Sequence, residues 1–240
     1  VTVEQPAYTL ERAEQTGSGV RDTWVIIPLF NEESVIGDVV AQVLTAFDQV
    51  VCVDDGSTDR SAALAAQAGA RVVRHPLNLG QGAALQTGFE YALADPTMQY
   101  IVTFDADGQH QIADAVGMVE RLRAGEADVV FGSRFLDERS KPSFAKTMVL
   151  RAAVGYTNIT THTRLTDAHN GLRAIRRPVL EQLDITQNGM AHASELVAQI
   201  GALKASYVEH PVHILYTDYS KAKGQSLWNS INILADLILR

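Results

Sequence analysis

Residues 24–59 read WVIIPLFNEESVIGDVVAQVLTAFDQVVCVDDGSTD, and the order of patterns inside this stretch decides the fold. WVIIP is a short β-branched apolar run, the pattern of a buried strand. Val35, Ile36, Val39, Val40, Val43, Leu44 and Phe47 then recur at i, i+3/i+4 spacing, which predicts an amphipathic helix over residues 32–47. VVCVD at 50–54 is a second strand. Strand, helix and strand in that order form the unit of a parallel sheet covered by helices, so the class is α/β.

The same alternation continues along the chain. Ser57, Thr58 and Asp59 offer an N-cap for an Ala-rich helix through Ala68, with Gly69 to end it. RVVRH (71–75), YIVTF (100–104) and DVVFGSR (128–134) read as further strands; residues 80–94 and 111–124 read as helices. Residues 135–165 show no clear period. Residues 168–176 predict a short strand or strand edge, 190–203 a helix, and 206–215 a last strand bent at Pro211. Leu227, Ile231, Leu234 and Ile238 share one face of a closing helix. The expected organisation is a flexible lead-in over residues 1–22, one domain over 23–224 and a C-terminal amphipathic helix over 225–240.

Composition narrows the function classes. A chain of 240 residues, 46% hydrophobic, buries a full core. Its single cysteine, Cys52, lies inside an apolar run, which excludes a disulfide framework, favours a small buried hydrophobe and points to a reducing compartment. The net charge of -8 argues against a nucleic-acid binder. Charge is unevenly placed, however. Between Arg134 and Arg177 nine basic residues face three acidic ones, the pattern of an anionic ligand, a membrane surface or basic solvated helix faces. No apolar run reaches the length of a membrane span, and the N-terminal residues lack the order of a signal peptide. A cytoplasmic protein, soluble or peripheral to the membrane, is the expectation.

Three acidic turns fall at carboxyl ends of predicted parallel strands: PLFNEE (28–33), DDGSTD (54–59) and FDADGQH (104–110). That edge is where open α/β sheets bind ligands. Asp-Gly-Ser is also ordinary turn chemistry. Asp105 and Asp107 pose a sharper question, because like charges about 4 Å apart repel by roughly 4 kcal/mol at an effective dielectric near 20. Such a pair implies a cation, a shared proton or full solvation. Oxygen ligands suit Mg²⁺ or Mn²⁺, with Gln109 adding an amide oxygen. His110 beside two aspartates does not close a zinc site. NLGQGAALQTG (78–88) matches neither GxGxxG nor the P-loop, yet Gly80 and Gly82 permit close backbone approach, either to a ligand or within a tight turn into the helix.

Taken together, VIIPLFNEE, VVCVDDGSTD, RHPLNLGQGAALQTG, VTFDADGQH, VVFGSRF, DAHNGLRAIRR and KAKGQS resemble the family-2 inverting glycosyltransferases, and within them the polyprenol-phosphate sugar synthases of the dolichol-phosphate-mannose-synthase type. The resemblance spans residues 24–229. It implies a GT-A fold, a Rossmann-like, mostly parallel twisted sheet with helices on both faces. It also implies that Pro28, Asn31 and Glu32 line the nucleotide pocket and that Asp55 contacts the base. Asp105 and Asp107 would be the DxD pair holding Mg²⁺ or Mn²⁺ on the diphosphate, with Gln109 completing the coordination. Asp107 and Arg134 would be the catalytic groups, Arg134 receiving the acceptor phosphate and Arg151 serving as a second arginine. Lys221 and Lys223 resemble a basic segment that closes over the phosphates. Gly80 and Gln81 fall on the substrate side, Gln81 replacing a basic residue of many relatives. Asp167 and Arg173 match motif positions that are structural or substrate-facing. QxxRW is absent, the only tryptophans being Trp24 and Trp228, which disfavours a processive synthase.

The reaction so implied is sugar transfer from a nucleotide-diphosphate sugar to a polyprenyl phosphate, with inversion. A phosphate oxygen is already anionic at neutral pH and needs no strong base. Transfer to a hydroxyl would need one, for which Asp167 and Glu195 are the candidates. A silent nucleotide-sugar-binding module is the third reading, disfavoured by the intact DxD and GSR. The closing helix has three expected docking partners: the core, a second subunit in a homo-oligomer, and a membrane surface.

Overall fold

The computed structural model describes residues 20–137, 144–161 and 163–215. Seven strands form one sheet in the order β3-β2-β1-β4-β6-β5-β7. They are β1 (Val20–Leu29), β2 (Phe47–Asp54), β3 (Arg71–Arg74), β4 (Tyr100–Thr103), β5 (Val129–Ser133), β6 (Arg173–Arg176) and β7 (Tyr207–Pro211). The helices are α1 (Ile36–Val43), α2 (Ser61–Gln67), α3 (Gln81–Leu93), α4 (Ile112–Arg123), α5 (Phe144–Thr161), α6 (Arg177–Leu180) and α7 (His192–Ala202). Four of the six strand pairings are parallel; β6 runs antiparallel to both its neighbours, β4 and β5.

Period-two alternation in the central strands divides the core into two layers. From β1, Trp24 and Ile26 face the cluster built with α3, α6 and α7, while Val25, Ile27 and Leu29 face the cluster built with α1 and α4. In β2, Val51 and Val53 join the first cluster and Val50 and Cys52 the second. Helices therefore cover both faces, as the sequence predicts. Cys52 is fully buried, and burial, then the charge of Asp54, pushes its thiol far above the usual range.

Several expectations are corrected in detail. The helix predicted over 32–47 is confined to Ile36–Val43; Phe47 instead opens β2 and packs on α1 from the sheet side. Its apolarity reported burial, and burial alone does not distinguish helix from strand. The helix expected to be capped by residues 57–59 starts at Ser61, and Asp59 accepts its backbone N–H at 2.9 Å. β1 begins at Val20, so residues 20–22 belong to the sheet rather than to the lead-in. The last strand ends at Pro211 instead of bending there. The segment with no readable period contains the 18-residue α5. Among the described residues no helix is long and apolar enough to cross a membrane. Lys221, Lys223 and the predicted closing helix lie outside the described residues, as does nearly all of the predicted lead-in.

Candidate active site

All strands but β6 run the same way, so β1, β2, β3, β4, β5 and β7 present their carboxyl ends along one edge, where β6 begins. Thr103 of β4 and Phe131 of β5 both have Arg173 as register partner. The turns after β4 and β5, sequence-distant, thus flank the segment Gly171–Arg173. This edge collects every described residue that the sequence nominates on a strand end: Pro28, Asn31, Glu32, Asp55, Asp105, Asp107 and Arg134.

The first two turns are laced together. Asn31 sits in the left-handed region at φ 52, its N–H donates to Ser57 Oγ at 3.0 Å, and its Oδ1 accepts from the Thr58 N–H at 3.0 Å. Glu32 N–H donates to Ser61 Oγ at 2.7 Å. Pro28 is half-buried in β1 opposite Val53. Asp55, read as a base contact, is buried and turned toward its own chain. His75 Nδ1 donates to it at 2.7 Å, and the N–H groups of Leu79 and Gly80 donate at 2.9 and 2.7 Å. The carboxylate pins the loop that leads into α3.

Gly80 and Gly82 make their close approach to the chain itself. A Cβ on Gly80 would lie 2.8 Å from the Asn188 carbonyl carbon, one on Gly82 would lie 2.9 Å from His192 Cβ, and the Gly82 N–H donates to the Asn188 carbonyl at 2.9 Å. Of the two readings of these glycines, close packing at the start of α3 is the one the geometry displays, and the segment 187–188 covers that turn. Gln81 points the other way, its Nε2 donating to Asp105 Oδ1 at 3.4 Å.

The Asp105 carboxylate is clamped. His110 Nε2 donates to Oδ2 at 2.9 Å, and a Cβ on Gly171 would fall 2.6 Å from Asp105 Cγ. Burial pushes the Asp105 carboxyl up, but the His110 hydrogen bond and the charges of His110 and Arg173 hold it below the usual range. Asp107 behaves oppositely: burial first, then the charge of Asp105, with Glu32 adding to it, pushes it up to about 6. Glu32 is therefore close enough to act on Asp107, which unites two of the acidic turns. Gln109 is buried, and its N–H donates to Asp107 Oδ1 at 3.1 Å. His110 packs edge-on against Phe104. Nothing in its spacing announced the clamp, and Gly171 was signalled only by an Asn-Gly step before a short strand.

A divalent cation fits these donors. Two carboxylates on one turn, one of them raised by the other, form a hard-oxygen pair whose repulsion a cation relieves. Among the described residues no group of three or more His, Cys, Asp or Glu side chains is disposed to hold a metal ion. Asp105 and Asp107, with Gln109, would therefore supply part of a Mg²⁺ or Mn²⁺ shell, the rest coming from substrate oxygens and water.

Across Arg173 lies the basic side. Arg134 Nε donates to Asp167 Oδ2 at 2.6 Å, and the Arg134 N–H reaches the same oxygen at 3.2 Å. Glu209 Oε1, from β7, holds the segment before it through the N–H groups of Thr166 at 2.8 Å and Asp167 at 3.2 Å. Glu209 escaped the sequence reading because its partners are 42 and 43 residues away. Arg173 is buried, and burial lowers its guanidinium to about 10 against the opposing pull of Asp105 and Asp167. His169 and His192 stand nearby; burial depresses each to about 4, with the charge of Arg173 adding to the effect. Arg151, on α5, is exposed and stacks its guanidinium 5.9 Å from the Phe135 ring centroid. It is brought beside the residue after Arg134 rather than to the acidic pair.

Residues 24–184 match the sequence family described as Glycosyl transferase family 2. The chain is 32% identical over 228 residues to an uncharacterized protein of Methanocaldococcus jannaschii, covering 91% of this chain and 92% of that one. It is 28% identical over 244 residues to the UDP-N-acetylglucosamine--dolichyl-phosphate N-acetylglucosaminyltransferase of Methanococcus voltae, covering 90% and 94%. Among solved structures it resembles glucosyl-3-phosphoglycerate synthase from Mycobacterium tuberculosis in complex with Mn²⁺, uridine-diphosphate-glucose and phosphoglyceric acid, with a TM-score of 0.61, 20% identity, and 90% of this chain and 79% of that chain covered. That likeness gives the fold as GT-A. The chain belongs to glycosyl transferase family 2 and is a glycosyltransferase.

Proposed function

We propose that the protein transfers a sugar from a nucleotide-diphosphate sugar to a polyprenyl phosphate, by one in-line displacement that inverts the anomeric carbon. The observation that carries this reading is the use made of the two carboxylates that could have served as base for a hydroxyl acceptor. Asp167 is committed to Arg134 at 2.6 Å, and Glu195 accepts from the N–H groups of Thr186 at 3.1 Å and Gln187 at 2.8 Å. A site that spends its base candidates on an arginine and a loop suits a nucleophile that is already an anion. The dolichyl-phosphate transferase among the relatives supports the same acceptor class.

In this reading Asp105, Asp107 and Gln109 hold Mg²⁺ or Mn²⁺, which neutralises charge on the leaving diphosphate. Pro28, Asn31 and Glu32 line the nucleotide pocket, with Gln81 beside the diphosphate, while Asp55 and Gly80 shape the wall from behind. Arg134 receives the acceptor phosphate, Arg151 assists from α5, and Lys221 and Lys223 close over the phosphates. The chain's work is to orient two anions and stabilise the departing one. A peripheral position on the cytoplasmic face of a membrane goes with a lipid acceptor, and α5 supports it by exposing Met148, Tyr156 and Ile159 beside Arg151.

The test is a panel of GDP- and UDP-sugars with Mg²⁺ or Mn²⁺, scored for nucleotide release with and without a short polyprenyl phosphate. Release that depends on the polyprenyl phosphate is expected, and Asp105→Ala or Asp107→Ala should abolish it. Equal release with free sugars as acceptors would return the hydroxyl reading. Flotation with anionic liposomes, for the full chain and for one cut at Gly224, reads membrane docking; binding by neither would remove it.

A further inference from the structure

Four charged groups of alternating sign lie along the floor of the site. Asp105 follows β4, Arg173 opens β6, and Asp167 meets Arg134 beyond β5. Arg173 is 1% exposed, and among the described residues the only hydrogen bond its side chain donates is a long one, from Nη2 to the Ala168 carbonyl at 3.4 Å. A guanidinium buried with so few acceptors is held by charge, and the charges acting on it are Asp105 and Asp167. Among the described residues, two atoms of this cluster are buried without a partner: Nε of Arg173 and Oδ1 of Asp167. One is a cationic donor and the other an anionic acceptor. The cluster thus holds unused capacity for a second arrangement, with Arg173 turned toward Asp167.

We propose that Arg173 is a positioning residue that couples the two substrate sites. Asp105, once engaged with a cation-bound diphosphate, gives up its share of Arg173; Arg173 turns to Asp167; Asp167 loosens its hold on Arg134, which then meets the acceptor phosphate. The same steps run in reverse, because a coupling free energy is reciprocal. Each end of the row is completed by substrate charge of the sign it lacks, so the coupling is positive. The inference rests on the proposed pairing of a diphosphate donor with a phosphate acceptor.

Calorimetric titration of the full chain with farnesyl phosphate, with and without Mn²⁺ and UDP and in parallel Mn²⁺ and GDP, tests it without turnover. The wild-type protein should bind farnesyl phosphate about fivefold or more tightly when Mn²⁺ and nucleotide are present. In Arg173→Met that ratio should fall to one, and in Arg173→Lys, which keeps the charge without the planar fork, it should fall part of the way. A ratio of one in the wild type, or an undiminished ratio in Arg173→Met, overturns the proposal. Should Arg173→Met fail to fold by circular dichroism, Arg173→Lys carries the test, and an undiminished ratio there overturns it. If farnesyl phosphate does not bind the wild type, the polyprenyl reading fails and a donor-side cycle decides the inference. Asp167→Asn should weaken Mn²⁺–nucleotide binding several-fold in the wild type and not in the Arg173 variant. An Asp167→Asn effect that is absent, or that survives in the Arg173 variant, overturns it.

Discussion

Orientation of a single carboxylate is set by a residue with no side chain. Asp105 Oδ2 is drawn by His110 over the open face of Gly171, and a Cβ there would crowd Oδ1 at 2.5 Å. Gly171→Ala should therefore leave the fold intact and rotate the carboxylate off His110. Removing a group that orients a metal ligand costs about 10–100-fold in affinity, and a loss in that range is expected for Mn²⁺–nucleotide binding followed by calorimetry. Unchanged binding would mean that the clamp does not orient the ligand. Legibility at this scale is uneven. Asp105 and Asp107 stand out because two carboxylates at a strand end need an explanation. His110 does not, since nothing in its sequence position tells that its ring turns back onto Asp105 five residues earlier, and Gly171 does not, since its meaning lies in a contact with Asp105 across 66 residues of sequence.

Among the elements, the helices and strands with a clean period were legible, and those shaped by tertiary contact were not. Residues 112–123 fold as the predicted helix because Ala115, Met118, Val119 and Leu122 form one buried stripe. In α5 Thr157 is buried while Ile159 is 79% exposed, so no amphipathic period marks it. The direction of β6 is equally silent, because four residues carry no record of which way they run. Two glycines show how packing overrides propensity. Gly88 of α3 lies so close to β1 that a Cβ would overlap the Ile26 Cγ2 methyl, whereas a Cβ on Gly37 of α1 would meet nothing within 4 Å. Alanine improves a helix interior by about 1 kcal/mol over glycine, but overpacking a core costs about 1–3 kcal/mol. β1 is flanked by β2 and β4 and has little freedom to yield. Urea unfolding should thus show Gly88→Ala destabilised by about 1–2 kcal/mol and Gly37→Ala stabilised by up to about 1 kcal/mol.

For the whole molecule, the buried charges of the site predict how it responds to acid. His169 and His192 ordinarily titrate near 6.5 and are lowered to about 4 in the fold, by burial first. Their neutral forms are the folded forms: His192 Nδ1 donates to the Gly189 carbonyl at 2.8 Å, and Ser194 Oγ lies 3.3 Å from His169 Nε2. The unfolded chain binds these protons first as pH falls. Each histidine therefore contributes stability that is complete above about pH 6.5 and lost progressively toward pH 4. At about 1.4 kcal/mol per unit, the loss is at most about 3 kcal/mol each. Asp107, raised to about 6, works against this, because the folded state takes up its proton first as pH falls and is relieved of repulsion. The carboxyls held below their usual values, Asp105 and Asp128 among them, lose their contribution only under more acidic conditions. His210, lowered by burial, loses stability in the same direction, so with Asp107 opposing the three histidines net stability should fall by a few kcal/mol between pH 7 and pH 4.5. Urea unfolding at those two pH values checks the fall. His169→Gln, which cannot take up a proton, should reduce it by roughly one histidine's share, and an equal fall in that variant would place the acid sensitivity elsewhere.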